Sequence, residues 1–372
     1  MVRRGRQGGE APVEALEVSA FRIPTATPVE SDGTAEWRFT TLVVVELRAG
    51  GASGLGYTYA DRATAHFVQE VLRPHVIGRD PMVVPAVARE LLVAVRNHGR
   101  EGVAAMAISA VDVALWDLKA RLFGVPLATL LGPVRDAVDL YGSGGFTSYT
   151  LPELEAQLGG WAAQGFRRVK MKVGRDPSAD PERVRAARRA IGGDVELFVD
   201  ANGAYDRKRA LRLAETFAAD ADVRWFEEPV SSDDREGLRL LRDRAPAQME
   251  IAAGEYGYHP QYFRTLLEAG AVDVLMADAT RCLGISGFLT AGALCDAFGV
   301  PLSAHCAPML HLSLGACAPR LRHLEYFFDH ARIEALVFDG FVEPRGGVLR
   351  PDRTRPGLGL ELKRKDAERY AV

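Results

Sequence analysis

Alternating bulky and small or polar residues near the N-terminus predict a pair of antiparallel strands. Across residues 37–47 every odd-numbered position is bulky or β-branched, and the Asp32-Gly33 pair before them is a turn signal. An earlier strand is predicted at residues 16–23. The connection at residues 24–32 contains two prolines together with threonines and acids, so we expect it to form an exposed loop.

A helical pattern follows these strands. Apolar residues recur at spacings of 3, 4, 3 and 4, which places them on one face of a helix, and Gly124 with Pro126 behind it predicts the helix end. The stripe consists of Ile108, Val111, Leu115, Leu118 and Leu122. Strands followed by helices indicate an α+β unit, which we place at residues 12–136.

Beyond Gly132-Pro133, short runs rich in β-branched and aromatic residues alternate with helix-like segments. Seven or eight such units in roughly 200 residues are typical of a closed (β/α) barrel, whereas an open doubly wound sheet more often has five or six strands. The glycine-rich residues 142–145 lack the GxGxxG spacing of a dinucleotide-binding turn. We therefore predict an α/β fold with a barrel at residues 137–335. Its strand-like runs are residues 138–141, 168–173, 196–200, 223–227, 249–253, 272–276 and 300–303.

The composition narrows the possible functions. Of the 372 residues 48% are apolar, and 46 Lys+Arg against 49 Asp+Glu give a formal net charge of −3. Nucleic-acid binding needs an excess of clustered Lys and Arg, and a membrane span needs about 18 uninterrupted apolar residues; the sequence has neither. The arginine-containing residues 2–6 are followed by no apolar core, so they do not form a signal peptide. We expect a disordered tail at residues 1–11 and a cytoplasmic protein with no nucleic-acid or membrane partner.

The four cysteines form no recognisable metal or disulfide motif. They lie in apolar surroundings without a CxxC pair, at positions Cys282, Cys295, Cys306 and Cys317. We therefore expect four buried, reduced thiols.

Ionisable residues recur at the βα period of the predicted barrel. Seven of them follow one another at intervals of 28, 27, 28, 23, 27 and 20, and all but the last lie at or just past the end of a predicted strand. Barrel strands carry their reacting groups at their C-terminal ends, so these side chains are expected to share one mouth. They are Lys172, Asp200, Glu227, Glu255, Asp278, His305 and Glu325.

Three carboxylates from successive strands predict a metal site. Asp200, Glu227 and Glu255 would repel one another strongly unless a cation lay between them. Hard oxygen ligands favour Mg²⁺, for which Mn²⁺ can substitute, while the lack of Cys and His in the set disfavours zinc. A salt-bridged acid at a strand end is the structural alternative for each residue alone. Glu228 is the alternative ligand to Glu227, but strand alternation is expected to turn it away.

Two further pairs have the chemistry of acids and bases. Lys170 and Lys172 are two residues apart on a strand, so both ammonium groups are expected to face the barrel interior, where mutual repulsion would lower the pKa of Lys172 and make it a base. Asp278 and His305 end consecutive strands, and a carboxylate would fix the imidazole tautomer. The structural alternatives are lysines paired with acids and a histidine that only satisfies local hydrogen bonds.

Several short motifs occur in a characteristic order: Lys170-Met171-Lys172, Asp200-Ala201-Asn202, Trp225-Phe226-Glu227-Glu228-Pro229, Gly254-Glu255, Asp278, Ser303-Ala304-His305 and Leu324-Glu325-Tyr326. Together they resemble the motifs of the enolase superfamily, mandelate racemase subgroup. Residues 108–117 resemble the capping-domain helix of that family and residues 355–359 its C-terminal return segment. The resemblance implies a Mg²⁺-binding (β/α)7β modified TIM barrel, an α+β capping domain built from residues 12–136 and 336–372, and a homo-oligomer, whether dimer, tetramer or octamer.

The resemblance also implies a mechanism, the Mg²⁺-dependent removal of the proton α to a substrate carboxylate. Lys172 would address one face of the α-carbon, and the Asp278–His305 pair would address the other. Lys170 would stabilise the resulting enediolate, and a protonated Glu325 would donate a hydrogen bond to the same carboxylate.

Different outcomes remain open from this intermediate. Dehydration of an acid sugar to a 2-keto-3-deoxy acid is the expectation, because sequences with this set of residues are mostly of that kind. A racemase, epimerase or cycloisomerase acting on a 2-hydroxy acid or related carboxylate is the alternative. A non-catalytic carboxylate-binding barrel is disfavoured by the intact pair Lys172 and His305, and a Schiff-base aldolase would not need three carboxylates.

Substrate contacts are less well defined by the sequence. Asn202, Ser143 and Arg281 are candidates because they lie at or after strand ends, and a structural role is equally open for Ser143 and Arg281. Specificity is expected to lie in residues 24–32 and 56–62, since capping loops close sites of this architecture.

One position departs from the family pattern. Leu283 stands where the family more often has glycine in the turn after the sixth-strand Asp278, so this turn is expected to differ in shape. Gly284 would still supply flexibility there.

Overall fold

The computed structural model describes residues 11–372, so nearly all of the tail predicted at residues 1–11 lies outside the described residues. The N-terminal sheet has the order β1-β4-β5 and is antiparallel throughout, which confirms the predicted strand pair. A short hairpin, β2 with β3, stands between its first two strands. The bounds are β1 Ala15–Pro24, β2 Glu30–Ser31, β3 Glu36–Trp37, β4 Phe39–Ala49 and β5 Ala52–Tyr59.

A layer of helices covers one face of this sheet. The predicted helix is α4, which ends as expected at Gly124 in a left-handed conformation with φ of 68°. Of its 21 residues 14 are buried, more than a single apolar stripe predicts, because β5 covers one side of α4 and other helices cover the rest. The bounds are α1 Arg62–Phe67, a π-helical turn Val68–Leu72, α2 Arg73–Val76, α3 Val84–Ala94, α4 Val103–Phe123 and α5 Leu127–Leu131.

Glycines in β5 allow the sheet and α4 to approach closely. A Cβ atom on Gly56 would lie 2.1 Å from the carbonyl oxygen of Ala110, and one on Gly54 would lie 2.4 Å from that of Ala114. Neither position therefore accommodates a larger residue without moving the helix away. The sheet is consequently buried on both faces: Leu42 and Val44 join the core that continues into the barrel, whereas alternate residues of β4 face the helices.

Eight parallel strands, β6 to β13, form a closed barrel. Each strand pairs with its chain neighbour, and β13 pairs with β6 to complete the ring, which confirms the predicted barrel. The seven predicted strands shift by at most a few residues. The bounds are β6 Val138–Gly144, α6 Leu151–Ala163, β7 Arg168–Lys172, α7 Asp180–Ile191, β8 Glu196–Asp200, α8 Arg207–Ala221, β9 Val223–Glu227, α9 Arg235–Arg244, β10 Glu250–Ala253, α10 Pro260–Glu268, β11 Val274–Ala277, α11 Gly284–Phe298, β12 Leu302–Ala304, α12 Pro308–Cys317 and β13 Leu321–Phe327.

The eighth strand, β13, was not among the runs predicted from the sequence. It carries Arg322, His323 and Glu325 among its seven residues, so it lacks an apolar run. His323 and Glu325 are both fully buried because they point into the barrel, where polar groups of neighbouring strands meet them. Strand β13 can be polar because its inward-facing side chains meet polar groups of the neighbouring strands. The hydrophobic periodicity of the sequence does not show which strands will be neighbours.

Aromatic side chains fill the centre of the barrel. Tyr141, Phe198 and Trp225 are buried there with His323, and the rings of Phe198 and Trp225 stack with centroids 5.1 Å apart. Side chains two positions further along the same strands point inward at the C-terminal mouth. The aromatic layer therefore forms the floor beneath the polar residues at the mouth.

The C-terminal segment returns to the first sheet. Its β15 pairs antiparallel with β6 of the barrel, and the backbone N–H of Val372 donates to Ala20 in β1. The bounds are α13 Phe328–Val337, β14 Phe338–Asp339, β15 Val348–Leu349, β16 Glu361–Leu362, α14 Arg364–Ala367 and a 3₁₀ turn Glu368–Tyr370. Within residues 11–372, no helix is both long enough and apolar enough to cross a bilayer.

A buried carboxylate in α4 connects three segments of the chain. Asp117 accepts hydrogen bonds from the backbone N–H of Leu55 at 2.7 Å and of Leu358 at 2.5 Å, and Arg121 donates to it at 2.7 Å. We expect Asp117→Ala to lower the free energy of unfolding by about 3 kcal/mol, because buried donors lose their only acceptor. Urea unfolding followed by circular dichroism measures this change.

The control is Asp220→Ala, which removes an exposed ion pair with Arg185. Exposed pairs contribute at most about 1 kcal/mol, so this variant should unfold close to the wild type. Equal losses in the two variants would contradict the structural role of Asp117.

Candidate active site

The seven ionisable residues predicted to share a mouth form one connected group at the C-terminal end of the barrel. Lys172 Nζ lies 2.5 Å from Asp200 Oδ2, and Lys170 Nζ lies 2.5 Å from Glu227 Oε1. His305 continues the chain of contacts at the other side of the mouth, 2.9 Å from Asp278, 3.2 Å from Glu255 and 3.6 Å from Glu325. Both lysines face the interior, as the period of two predicts.

Three of these residues, Asp200, Glu227 and Glu255, are defined here as the carboxylate triad. Each offers one oxygen, and the three oxygens lie within 4.8 Å of one another. All three residues are buried, and the polar neighbour of Glu255 Oε2 is Nε2 of His305 at 3.2 Å, a contact without good hydrogen-bond geometry. Burial and the charge of Asp200 raise the pKa of Glu227 to about 8. Hard oxygen donors that are crowded and incompletely satisfied fit Mg²⁺.

The backbone before Glu255 places this third carboxylate. Strand β10 ends at Ala253, and Gly254 has φ of 140°. A Cβ atom at this position would lie 2.1 Å from the carbonyl oxygen of Met276. Only glycine fits between the two strands, and the turn it makes directs Glu255 into the mouth.

Glu228, the alternative to Glu227, is not a member of the close group formed by Asp200, Glu227 and Glu255. Strand β9 ends at Glu227, and Glu228 has φ of 36°, so the alternation stops there. Its side chain is buried, with one carboxyl oxygen unpartnered. Burial and the charges of Glu255 and Asp200 raise the pKa of Glu228 well above its usual value. A fourth carboxyl group therefore borders the triad.

The expected lowering of the pKa of Lys172 is wrong for this arrangement. Burial lowers this pKa and the charge of Lys170 lowers it further, but the charges of Asp200 and Glu255 outweigh both and raise it above its usual value. Carboxylates outnumber lysines in the mouth. The pKa of Lys172 therefore depends chiefly on whether Asp200 also binds another positive group.

The contact between Asp278 and His305 has the geometry expected of a paired imidazole. Asp278 Oδ2 lies 2.9 Å from Nδ1, and Oδ1 of the same carboxylate accepts from the backbone N–H of Thr280 at 2.7 Å. Burial opposes ionisation of Asp278, but His305 and Arg281 hold its pKa well below the usual range. The aspartate thus orients the ring so that Nε2 faces the mouth.

The groups around Glu325 favour its ionised form, contrary to the expectation that it is protonated. Burial raises its pKa, but the charges of Lys170 and His305 lower it well below the usual range. Lys170 Nζ lies 2.8 Å from Oε1, and the hydroxyl of Ser143 donates to the same oxygen at 2.6 Å. Ser143, predicted to contact substrate, thus has its hydroxyl directed at Glu325.

A cavity of about 360 Å³ lies between the mouth and the N-terminal sheet. Asn202 and Arg281 line it, as do residues of both loops expected to close the site, at 24–32 and 56–62. Arg281 donates to the backbone oxygen of Glu255 at 3.2 Å and lies over the ring of Tyr256. From the capping side the lining comprises Asp32, Trp37, Phe39, Thr40, Thr41, Tyr59, Ala60 and Asp61.

Sequence reasoning placed Tyr59 within a specificity loop but missed His330 and Cys306 as residues of this cavity. Tyr59 and His330 stack with ring centroids 3.4 Å apart and form one wall. Cys306, expected to be a buried thiol like the others, is buried and reduced but contacts His305 Nε2 at 3.3 Å. Its position directly after the predicted histidine is the one signal in the sequence that marks it.

The turn containing Leu283 is held in an unusual conformation. Leu283 and Gly284 have φ of 71° and 75°, and the hydroxyl of Ser109 in α4 accepts from both backbone N–H groups at 3.0 Å. A positive φ is costly for leucine and favours glycine, which agrees with the glycine more often found here in the family. The hydrogen bonds to Ser109 connect this turn, which follows Arg281, to the capping helix.

Comparisons with known proteins agree with this architecture. Residues 15–132 match the mandelate racemase / muconate lactonizing enzyme N-terminal domain, and residues 153–367 match the enolase C-terminal domain-like family. The chain is 34% identical over 361 residues to the L-talarate/galactarate dehydratase of Salmonella typhimurium, covering 94% of this chain and 89% of that protein. Other curated relatives, at 28% to 32% identity, are dehydratases and cycloisomerases.

Solved structures extend the match to the whole chain. A mandelate racemase/muconate lactonizing enzyme-like protein from Rubrobacter xylanophilus is 56% identical, with a TM-score of 0.95 and coverage of 97% of this chain and 100% of that one. A racemase from Streptomyces coelicolor A3(2) with bound magnesium is 30% identical, with a TM-score of 0.90 and the same coverage. With both domain matches and a barrel mouth of this composition, the chain belongs to the enolase superfamily, in its mandelate racemase subgroup.

Proposed function

We propose that this enzyme removes the proton α to the carboxylate of an acid sugar and eliminates water to give a 2-keto-3-deoxy acid. The observation that carries the proposal is the position of two candidate bases around the carboxylate triad. Lys172 contacts Asp200, and His305 contacts Glu255, so each base contacts a different carboxylate of the triad. Both bases line the same cavity, in which a substrate would present its α-carbon between them.

The carboxylate triad would hold Mg²⁺, and the same oxygen ligands suit Mn²⁺. The magnesium bound in the Streptomyces coelicolor racemase supports the first assignment. When bound, the ion supplies positive charge that offsets the negative charge developing on the substrate carboxylate. A cation shared by Asp200, Glu227 and Glu255 would also relieve the repulsion that raises the pKa of Glu227.

The protein residues handle the proton and the developing charge. Lys172 would accept the α-proton from its place on the cavity wall; Asp200 is the neighbouring charge that raises its pKa most, so a cation held by that carboxylate would favour the neutral amine. Lys170, held between Glu227 and Glu325, places a fixed ammonium group beside the mouth and stabilises the enediolate. Glu325 positions Lys170 through their ion pair. We assign it this role in place of the hydrogen-bond donation to the substrate carboxylate that the family resemblance implies.

His305 then determines the outcome on the opposite face. As an imidazolium it donates its proton to the β-hydroxyl, which leaves as water, and the resulting enol becomes the 2-keto acid. Burial lowers the pKa of His305, but the surrounding negative groups, including Glu255 and Glu325, raise it well above its usual value, so the protonated form is available. If the substrate has no β-hydroxyl, the same proton returns to the α-carbon and the enzyme is an isomerase.

A dehydratase is favoured over an isomerase by the relatives. The talarate/galactarate enzyme and several other curated relatives are dehydratases, whereas the Streptomyces coelicolor structure is a racemase. The polar lining contributed by Asp32, Thr40 and Asp61 suits a hydroxylated chain. A non-catalytic barrel would have no need of the paired imidazole facing Lys172.

The reaction itself is tested with a panel of acid sugars in ²H₂O containing Mg²⁺. We expect a 2-keto product detectable with semicarbazide, because elimination of water from the enediolate leaves an enol. Deuterium exchange without loss of water would instead establish the isomerase, and borohydride trapping would establish an aldolase. A panel that shows neither turnover nor exchange contradicts the proposal.

The two bases are tested by Lys172→Ala and His305→Asn. Each should lower kcat by at least about 100-fold while the circular dichroism spectrum is retained, because a positioned acid or base contributes 10² to 10⁴ in rate. Lys119→Ala and His98→Asn are the matched controls, since Lys119 lies in α4 and His98 in the turn after α3, and neither lines the cavity. Full activity in either test variant rules out the two-base mechanism.

Metal dependence is tested by chelation. We expect EDTA to abolish turnover and added Mg²⁺ to restore it, because the carboxylate triad needs a cation. Calorimetric titration of the chelated protein with Mg²⁺ should show one site that Asp200→Asn weakens, whereas Asp220→Asn, an exposed carboxylate, leaves it unchanged. Turnover that persists in metal-free protein is the result that would refute the assignment.

A further inference from the structure

Three donor atoms of different kinds meet on the cavity wall beside the carboxylate triad. Cys306 Sγ lies 3.3 Å from His305 Nε2 and 3.5 Å from Glu325 Oε2, and these last two atoms are 3.6 Å apart. We call this set the His-Cys-Glu triad. All three residues are buried, and all three line the cavity.

The dimensions of the His-Cys-Glu triad suit a tetrahedral ion. A zinc ion with nitrogen and oxygen ligands at about 2.0–2.2 Å and sulfur at 2.3 Å spaces its donors about 3.4–3.6 Å apart. The three measured separations are 3.3, 3.5 and 3.6 Å, so an ion would bind with very little movement of the side chains. All three donors border the cavity, so water or a substrate oxygen could reach a fourth ligand position.

The surroundings orient each donor toward the same point. Asp278 binds Nδ1 of His305 at 2.9 Å and turns Nε2 toward Cys306 and Glu325, with Glu255 Oε2 also 3.2 Å from Nε2; zinc-binding histidines commonly have such a carboxylate partner on the other ring nitrogen. Cys306 has φ of 51°, a left-handed conformation that a cysteine rarely adopts, and its backbone N–H donates to Glu325 Oε2 at 3.1 Å. The strained residue and the acid are therefore held together.

The His-Cys-Glu triad differs from the carboxylate triad in its kinds of donor atom. Thiolate and imidazole favour Zn²⁺, whereas Mg²⁺ prefers oxygen. Among residues 11–372, the two triads are the groups of three potential metal ligands that lie this close together. The other cysteines have no histidine contact: Cys317, for example, donates to a backbone carbonyl.

We propose that His305, Cys306 and Glu325 form a second metal site, specific for a thiophilic divalent ion such as Zn²⁺. On binding, the thiol of Cys306 and the Nε2–H of the His305 imidazolium each release a proton to solvent, and sulfur, Nε2 and a carboxylate oxygen coordinate the ion. Coordination occupies the lone pair of Nε2, so the histidine no longer transfers protons. The enzyme is thereby switched off by zinc, while the carboxylate triad continues to bind magnesium. The existence of the site does not depend on the proposed reaction.

The binding test uses Co²⁺ as a spectroscopic substitute for zinc, with Mg²⁺ at saturation. We expect wild-type protein to show a sulfur-to-cobalt charge-transfer band and the visible absorption of tetrahedral Co²⁺, both abolished by added Zn²⁺. Cys306→Ser and Cys306→Ala should remove the band and weaken zinc binding by at least about 100-fold, the upper range for loss of a supporting contact. Cys295→Ala, which removes a buried thiol elsewhere, should retain both properties.

Two results overturn the proposal. One is wild-type protein that binds Co²⁺ without a sulfur band, and the other is a band that persists in both Cys306 variants. The first result needs only the spectrum of the wild-type protein. The proposal can therefore be overturned even if either Cys306 variant fails to fold. It also remains decisive if no acid sugar is turned over, because the spectrum requires no substrate.

The regulatory consequence is tested through turnover at saturating Mg²⁺. We expect Zn²⁺ to inhibit the wild type and Cys295→Ala alike, and to require at least about 100-fold higher concentration for Cys306→Ser, each measured against its own zinc-free rate. Equal sensitivity of Cys306→Ser and the wild type would place zinc at the carboxylate triad instead and overturn the switch.

Discussion

The accumulation of buried negative charge at one end of the barrel is the constraint on which the site depends. A carboxylate taken out of water is costly unless a cation or several hydrogen bonds replace the lost solvent. At this mouth the acids other than Glu228 each contact a positive group from a neighbouring strand or loop, and the acids still outnumber the cations. The acids are Asp200, Glu227, Glu228, Glu255, Asp278 and Glu325, and the positive groups are Lys170, Lys172, Arg281 and His305. The excess negative charge can be balanced by a divalent ion or by protons on Glu227 and Glu228, whose pKa values are raised.

The barrel geometry explains how so many polar groups reach one point. Inward-facing positions recur every two residues along a strand, so each strand contributes one residue to the floor and the next to the mouth. Phe198 and Trp225 lie in the floor, and Asp200 and Glu227 follow them at the mouth. The indole N–H of Trp225 donates to Glu227 at 3.0 Å, so the apolar layer also orients the acid above it. The same strands therefore supply both the aromatic floor of the barrel and the acids at its mouth.

The capping unit completes the site from the other side. Its sheet is fixed to α4 by the close approach at Gly54 and Gly56, and α4 in turn holds the turn at Leu283 through Ser109. The residues that enter the cavity from this unit come from its loops, whose sequences can vary without disturbing the sheet. Loop residues of the capping unit and charged residues of the barrel thus line the same cavity from different parts of the chain. The stack of Tyr59 on His330 is a point where these parts meet.

The sequence by itself determined the elements whose signal is local or periodic. Alternation located the first sheet, the 3,4 spacing located α4 and its end at Gly124, and the βα period identified the ionisable residues that meet at the mouth. Tertiary structure decided what depends on neighbours distant along the chain: β13 is polar because it lies in a ring, and Glu228 joins the acids because its backbone leaves the strand conformation. The charge states of Lys172 and Glu325 likewise follow from which groups surround them. Electrostatic energy depends on distances in space, and spacing along the chain does not contain those distances.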